Sequence, residues 1–429
     1  MPTEIKSTFL EELRWRGFLD AVTSDDLDIF LSEAPRTMYV GFDPTADSLH
    51  LGSLIPAMAL AHAQRHGHRP LVLVGGGTGL IGDPSGKSAE RTLLTKEKAE
   101  ENAAAIRVQL GRFFDLSSDD KALMLNNVDW LASLNLLDFL RDVGKHFSVN
   151  EMIKRDSVRT RLEEREHGIS FTEFSYMLLQ AYDFLYLREH HDCTIQMGGS
   201  DQWGNILSGK ELIRRMLGQR GEGITFPLLT TSTGKKFGKT EEGAVWLDAA
   251  RTSPYQMYQY WLQTADSDVV RYLKLFTFLD QARIQELAQE VQAHPEKREA
   301  QKVLAAECTG VVHGAETVRA VEAASRILFS ASSEVPAAET VAMLAREVPV
   351  TEMANADLEA KVGLVDLLVR THLAESKGAA RKLIEAGGVY VNNERQVQVQ
   401  KTIGAEDLRW PGAILLRAGK KNYHLVLIR

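Results

Sequence analysis

Short apolar runs separated by amphipathic stretches fill roughly the first 230 residues of the chain. The runs Thr37–Phe42, Pro70–Val74, Ala122–Asn126, Cys193–Met197 and Phe226–Thr231 have the length of buried strands, and the stretches between them repeat with helical spacing. Such alternation predicts an α/β fold built on a parallel, doubly wound, Rossmann-like sheet. Ligands of these sheets bind beyond the carboxyl ends of the strands, which makes the turns after Phe42, Val74 and Met197 the candidate site. One helix departs from simple amphipathicity. The apolar stretch Phe174–Leu185 carries Tyr176, Gln180 and Asp183 at i, i+4 and i+7, a single face. That stripe either faces solvent or meets polar partners, because a buried carboxylate without a hydrogen bond costs several kcal/mol.

After Ser253-Pro254 the pattern turns to helix upon helix: Tyr255–Gln263, Val269–Phe278, Gln281–Ala293 and Lys297–His313. Ala331–Asp357 shows little sustained pattern and reads as a connector. Beyond Lys361 come two helices, near Gly363–His372 and Lys377–Ala386, and strands at Val389–Val391, Ala413–Arg417 and Tyr423–Arg429. The expected organisation is a Rossmann-like domain over 1–250, a helical domain over 251–330, a linker over 331–358 and a small α+β domain over 359–429.

Composition adds one asymmetry. The 429 residues carry a net charge of −8, yet the chain from Lys361 onward has 12 Lys+Arg against 6 Asp+Glu, a net of +6 that leaves −14 for the rest. A basic module on an acidic body points to a polyanionic partner. Cys193 and Cys308 stand in contexts that suggest neither a disulfide framework nor metal-ligand spacing, and no run of eighteen apolar residues occurs. We expect a cytoplasmic protein without a signal peptide or a membrane partner.

Candidate chemistry begins at two segments far apart. His50-Leu51-Gly52-Ser53 follows a strand and the turn Asp43–Asp47 and opens a helix, whose N-terminal N–H groups attract an anion. Thr45 and His50 add donors there. Lys235-Lys236-Phe237-Gly238-Lys239-Thr240 sets ammonium groups on a glycine-containing loop. Taken singly, each has a plainer reading: a turn histidine and a solvated turn. Gly77–Gly82 satisfies G-x-G-x-x-G, but Pro84 follows where a helix should continue, and Gly82–Ser88 is one residue short of a P-loop. Gln196–Gly204 is a further strand-to-helix turn, with Asp201 placed either to cap the helix or to bind ribose hydroxyls. In the basic module, Lys377 and Arg381 lie one helical turn apart, spaced for consecutive phosphates or for solvent alone.

Together these strings resemble the class I aminoacyl-tRNA synthetases in their tyrosyl-specific, bacterial-type form. The first two segments are similar to the His-Ile-Gly-His and Lys-Met-Ser-Lys-Ser signatures, and Gly75–Gly86 is similar to a tyrosyl-family turn. Lys377–Asn392 resembles a small RNA-binding domain shared with a ribosomal small-subunit protein. The resemblance implies that tyrosine attacks the α-phosphorus of ATP to give tyrosyl-adenylate and pyrophosphate. The tyrosyl group then passes to the 3′-terminal ribose of the tRNA for tyrosine. Thr45, His50, Lys87, Arg91, Lys236, Lys239 and Thr240 would carry the charge that develops on pyrophosphate. Tyr39 and Asp183 would meet the substrate phenol, Tyr176, Gln180 and Asp83 its ammonium group, with Gln202 and Asn127 nearby. Gly41, Asp43, His50, Gly52, Ser53, Gly199, Asp201 and Lys239 would line the ATP site. Lys377, Arg381, Lys382, Lys420 and Lys421 would face tRNA. Magnesium would come with ATP instead of from a protein-held site, and the family implies a homodimer.

By the same resemblance phenylalanine is refused without editing, because it would leave the polar pair Tyr39 and Asp183 unpaired. That refusal, on the order of 10^5, belongs to tyrosyl-tRNA synthetases as a family. Three positions depart from the pattern: Ser53 replaces the second signature histidine, Val40 stands where some relatives have cysteine, and Pro56 enters the helix early. The rival readings are a tryptophanyl-tRNA synthetase and a non-catalytic RNA-binding protein on a synthetase scaffold. Tyr39 with Asp183 weighs against the first, and His50 with Lys236 and Lys239 against the second.

Overall fold

A computed structural model describes residues 8–85, 93–155, 158–159, 162, 168–232, 234, 237–240, 243–329 and 335–429. The chain divides into two compact units, one running up to Thr252 and including Gln263–Glu307, the other made of Ser253–Leu262 and Cys308–Arg429.

The first unit is built on six strands: β1 (Ala21–Val22), β2 (Thr37–Phe42), β3 (Arg69–Val74), β4 (Leu123–Asn126), β5 (Cys193–Gly199) and β6 (Glu222–Phe226). They lie in the order β1-β6-β5-β2-β3-β4, all parallel except β1, which pairs antiparallel with β6 at the edge. The chain winds outward from β2 through β3 to β4, then returns to β5 on the other side of β2 and continues to β6. The switch point therefore falls between β2 and β5, where adjoining loops part and leave a crevice. Leu71, Val72, Leu73 and Val74 are buried throughout β3, as expected of a strand covered on both faces; each such side chain contributes about 1.5–3 kcal/mol.

The sheet corrects one expectation. The strand read at Phe226–Thr231 lies at Glu222–Phe226. Pro227 cannot donate to a ladder and ends it. Glu222 looks like a surface residue in sequence, yet it is buried because Lys210 (2.6 Å) and Arg220 (2.8 Å) neutralise it.

Two helices flank the crevice. Phe171–His191 is capped by Ser170, whose hydroxyl accepts from the Glu173 amide, and stops at Asp192 in the left-handed region. Trp203–Leu217 stops at Gly218 in the same conformation. The helices at Pro254–Leu262, Asp266–Phe276, Gln281–Ala293, Glu299–His313 and Ala315–Phe329 are divided between the two units. Asp266–Phe276 belongs with the first, where Arg16 reaches the carbonyls of Lys274 and Thr277 at 2.9 and 3.0 Å.

A small hairpin, β7 (Lys239–Thr240) and β8 (Gly243–Ala244), completes the strands of the first unit. In the second unit the strands are β9 (Val350–Met353), β10 (Val362–Gly363), β11 (Val389–Val391), β12 (Glu394–Gln396), β13 (Thr402–Ile403), β14 (Ala413–Ala418) and β15 (Asn422–Ile428). Five of them form a sheet in the order β12-β11-β14-β15-β9 over a core that includes Leu364, Leu368, Ile384, Ile414 and Val426. The stretch read as a connector thus holds the helix Ala338–Glu347 and an edge strand, β9, that pairs parallel with β15. Three of the four β9 residues are not buried, so its hydrophobic signal is weak.

Candidate active site

Four strand ends meet at the crevice: Phe42 of β2, Val74 of β3, Asn126 of β4 and Gly199 of β5. Their loops hold one another by hydrogen bonds. A Cβ on Gly75 would stand 2.0 Å from Asp43 Oδ1, so only glycine permits that approach. Gly41, on the central strand, is exposed and has no atom within 4 Å of its Cβ position. The sheet is therefore uncovered at that point.

Asn127, fully buried, is the hub. Its Oδ1 accepts from the amide of Gly77 at 2.8 Å, and its Nδ2 donates to Thr78 Oγ1 and Asp183 Oδ2, both at 2.9 Å. The Thr78 hydroxyl donates to Asp43 Oδ1, and the Tyr176 hydroxyl to Asp43 Oδ2, each at 2.8 Å. The polar stripe of the Phe171–His191 helix thus faces inward: Tyr176 and Asp183 are buried and Gln180 is partly so.

Asp183 Oδ1 accepts a second bond, from the indole Nε1 of Trp130 at 2.8 Å. Burial nevertheless pushes its carboxyl up to about 7, against the pull of the two donors. Tyr39 lies 1% exposed on β2, and among the described residues its hydroxyl has no partner. Burial, reinforced by the charge of Asp183, pushes its phenol well above the usual range. An unpartnered buried hydroxyl costs about 1–3 kcal/mol, so a ligand hydroxyl that paired with it would recover part of that cost.

A second polar cluster joins the β5 turn to the turn after β3. Gln202 Nε2 donates to Asp83 Oδ2 at 2.8 Å and approaches Asp201 Oδ2 at 3.3 Å. Its Oε1 accepts from Gln180 at 3.2 Å and from Asn205 at 3.1 Å. Asp83 and Gln180, remote in sequence, are thereby brought to one place.

The two signature-like segments also meet. His50 caps a 3-10 turn, Leu51–Ser53, that leads into the Leu54–Arg65 helix. Its Nδ1 accepts from the Gly52 amide at 3.0 Å, which leaves the neutral ring's proton on Nε2. A Cβ on Gly52 would lie 2.8 Å from that same ring, so glycine here serves His50 directly. Leu51 N donates to Val245 O at 3.0 Å and Leu247 N to Leu49 O at 2.8 Å, while Val245 N donates to Gly238 O at 2.9 Å. Gly238, at a φ of +75°, packs with its Cβ position 3.1 Å from Leu51 Cβ. Phe237 stacks on Phe276 at 5.0 Å, and Ser232 is tied to Asp268 through its amide and its hydroxyl at 2.9 Å. Lys239 is exposed at the start of the hairpin.

Lys87, Arg91 and Lys236 lie outside the described residues, and Thr240 is described in its backbone alone. Thr45 is exposed on the turn before His50; Ser53 donates its amide to His50 O at 2.8 Å; Val40 is buried; and Pro56 falls in the first turn of the Leu54–Arg65 helix, where proline is tolerated. Gly199 and Asp201 flank the end of β5. In the other unit, Lys377, Arg381, Lys382, Lys420 and Lys421 are exposed, with Lys377 paired to Asp366 at 2.6 Å. Among the described residues, no three or more His, Cys, Asp or Glu groups are arranged to hold a metal.

Sequence reasoning missed Thr78, Trp130 and Asn205. Thr78 sat unremarked inside the glycine string, and Trp130 follows Asn127 by one helical turn, a spacing that would have pointed to it. Asn205 carried no signal.

A family profile described as tRNA synthetases class I (W and Y) matches residues 31–330, and one for the tyrosine–tRNA ligase SYY-like C-terminal domain matches 340–426. Tyrosine–tRNA ligase of Roseiflexus castenholzii is 52% identical over 98% of this chain and 99% of its own. Tyrosine–tRNA ligase 1 of Bacillus subtilis is 48% identical over 98% and 99%. A crystal structure of the C-terminally truncated mitochondrial tyrosyl-tRNA synthetase of Aspergillus nidulans superposes with a TM-score of 0.67 at 34% identity, covering 75% of this chain and 94% of that one. Fold and site thus define a class I aminoacyl-tRNA synthetase of the tryptophan and tyrosine group. Within that group, the chain belongs to the bacterial tyrosyl-tRNA synthetases.

Proposed function

We infer that the chain activates tyrosine with ATP and transfers it to the 3′-terminal ribose of the tRNA for tyrosine, acting as a tyrosine–tRNA ligase. One observation carries the choice of amino acid: the unpartnered hydroxyl of Tyr39 beside the carboxylate of Asp183, itself held by Asn127 and Trp130. A phenol both accepts and donates a hydrogen bond, and these two groups offer the complement. Phenylalanine would give the Tyr39 hydroxyl no partner and Asp183 no donor beyond Asn127 and Trp130, and an indole nitrogen only donates.

In this reading Tyr176, Gln180 and Asp83 take the substrate ammonium group, Gln202 orients the carboxylate that attacks, and Asn127 keeps the Asp183 carboxylate in place. Asp43 holds Tyr176 and Thr78 with one oxygen each and would stand beside the nucleotide. Gly41 provides the uncovered sheet surface for the nucleotide, Gly199 and Asp201 the ribose contacts, and Gly52 with Ser53 the backbone near phosphate. No side chain attacks. The adenylation barrier falls through alignment and through donors aimed at the departing pyrophosphate. Thr45, His50 and Lys239 serve there, joined by Lys87, Arg91, Lys236 and Thr240. Magnesium arrives with ATP as part of the substrate.

Lys377, Arg381, Lys382, Lys420 and Lys421 would contact tRNA phosphates. The two profile matches, over 31–330 and 340–426, support a catalytic portion followed by a C-terminal one. A homodimer is favoured by the helix Leu136–Asp142, in which Leu136, Leu137 and Leu140 are exposed and no residue is buried. Among the described residues no helix is long and apolar enough to cross a membrane, and charging of tRNA suits the cytoplasm. ATP–pyrophosphate exchange with tyrosine, tryptophan and phenylalanine tests the reading: exchange should require tyrosine, and its absence would refute the assignment.

A further inference from the structure

The turn that carries Thr45 and His50 has no regular secondary structure between Asp43 and Leu49, so its backbone groups need other partners. One helix, Lys96–Leu110, supplies them through two buried amides. Asn102 Nδ2 donates to Pro44 O at 3.0 Å. Gln109 Oε1 accepts from Leu49 N at 2.9 Å and lies 3.3 Å from Ser48 Oγ, while its Nε2 reaches Asp47 O at 3.4 Å. The two residues are seven apart and share a face. Ser48 Oγ in turn accepts from Asp248 N at 3.1 Å, linking this attachment to the segment that also binds Leu49 and Leu51.

We propose that Gln109, assisted by Asn102, is a positioning residue for adenylate formation. It fixes Thr45 and His50 at the place where pyrophosphate charge develops, while leaving tyrosine binding alone. The inference rests on the function proposed above. Asp43, at the head of the turn, is fixed independently by Thr78 and Tyr176, so loosening at Leu49 acts beyond the tyrosine pocket. A turn displaced by an ångström still admits substrates but no longer meets the transition state, a loss of up to about 100-fold.

The test compares full-length wild type with Gln109→Leu and Gln109→Glu, measuring tyrosine Kd and the single-turnover rate of adenylate formation at saturating ATP. Gln109→Leu should lower the rate about 10- to 100-fold with tyrosine Kd within about twofold of wild type. Gln109→Glu should recover most of the rate at about pH 6, where burial keeps its carboxyl protonated and matched to the amide, and lose it toward about pH 8 relative to wild type. A role in folding alone would lower tyrosine binding in step with the rate at each pH, whereas a positioning role moves the rate alone. Should Gln109→Leu fail to fold, Ser48→Ala replaces it, with the same split expected. An unchanged rate, an equal loss of tyrosine affinity, or a Glu variant as impaired as the Leu variant would overturn the proposal. Wild type without tyrosine-dependent activity would instead overturn the function on which it rests.

Discussion

The indole of Trp130 donates a 2.8 Å hydrogen bond to the buried carboxylate of Asp183. Together with Asn127 it occupies one lone pair on each oxygen, yet burial still dominates and raises the carboxyl to about 7. Donors that would suffice for a half-exposed carboxylate do not offset its complete removal from water.

The pH dependence of stability follows. The ordinary value for Asp183 is 3.8 and the folded value about 7, so between them the folded state holds the extra proton. Its contribution is fully present below about pH 4 and is lost as pH rises to 7. His62, pushed down to about 2 by burial, acts oppositely and weakens the fold as pH falls below 6.5. The difference between wild type and Asp183→Asn isolates the first effect. In urea unfolding, wild type should lose up to a few kcal/mol relative to the variant from pH 4 to 7, whereas parallel curves would mean that the carboxyl is not raised.

Replacing Tyr39 with Phe removes a hydroxyl that has no partner among the described residues. Stability without substrate should hold or rise. Tyrosine binding should weaken by about 1 kcal/mol, roughly fivefold, and discrimination against phenylalanine should shrink. Equilibrium binding with both amino acids measures this, and unchanged tyrosine affinity would remove Tyr39 from the phenol site.

Gly238→Ala tests the junction of the two phosphate segments. Its φ of +75° and the 3.1 Å approach to Leu51 Cβ both oppose a side chain, at a cost of about 1–2 kcal/mol. We expect slower pyrophosphate exchange with unaltered tyrosine binding. Equal loss of both would show that the junction supports the whole crevice.

Exposed Arg381 and Lys382 sit on the Lys377–Glu385 helix, capped by Ser376. Changing both to Glu should weaken tRNA binding and flatten its salt dependence by roughly two ion contacts, leaving pyrophosphate exchange intact. Filter binding across a salt series reads the slope. An unaltered slope would move the tRNA surface elsewhere.

Strands Thr37–Phe42 and Val389–Val391 were legible to the residue, because an apolar run bounded by turn residues has little alternative. Glu222–Phe226 was not. Its buried Glu222 depends on Lys210 and Arg220, and nothing within the strand announces them. β9 escaped notice for a different reason, since an edge strand buries too little to carry a strong pattern.

At the site, the sequence by itself determined the residue types and their local frame: a histidine before a helix, a glycine turn after a strand, and a polar stripe on an apolar helix. Those properties depend on neighbours within a few residues. Only the tertiary structure decided which lone pairs are already occupied. Among the described residues it left the Tyr39 hydroxyl unpartnered, surrounded Asp183 with Asn127 and Trp130, and closed Leu51, beside His50, against Gly238 and Val245. Hydrogen-bond partners and desolvation are set by residues distant in the chain, and no local pattern contains them.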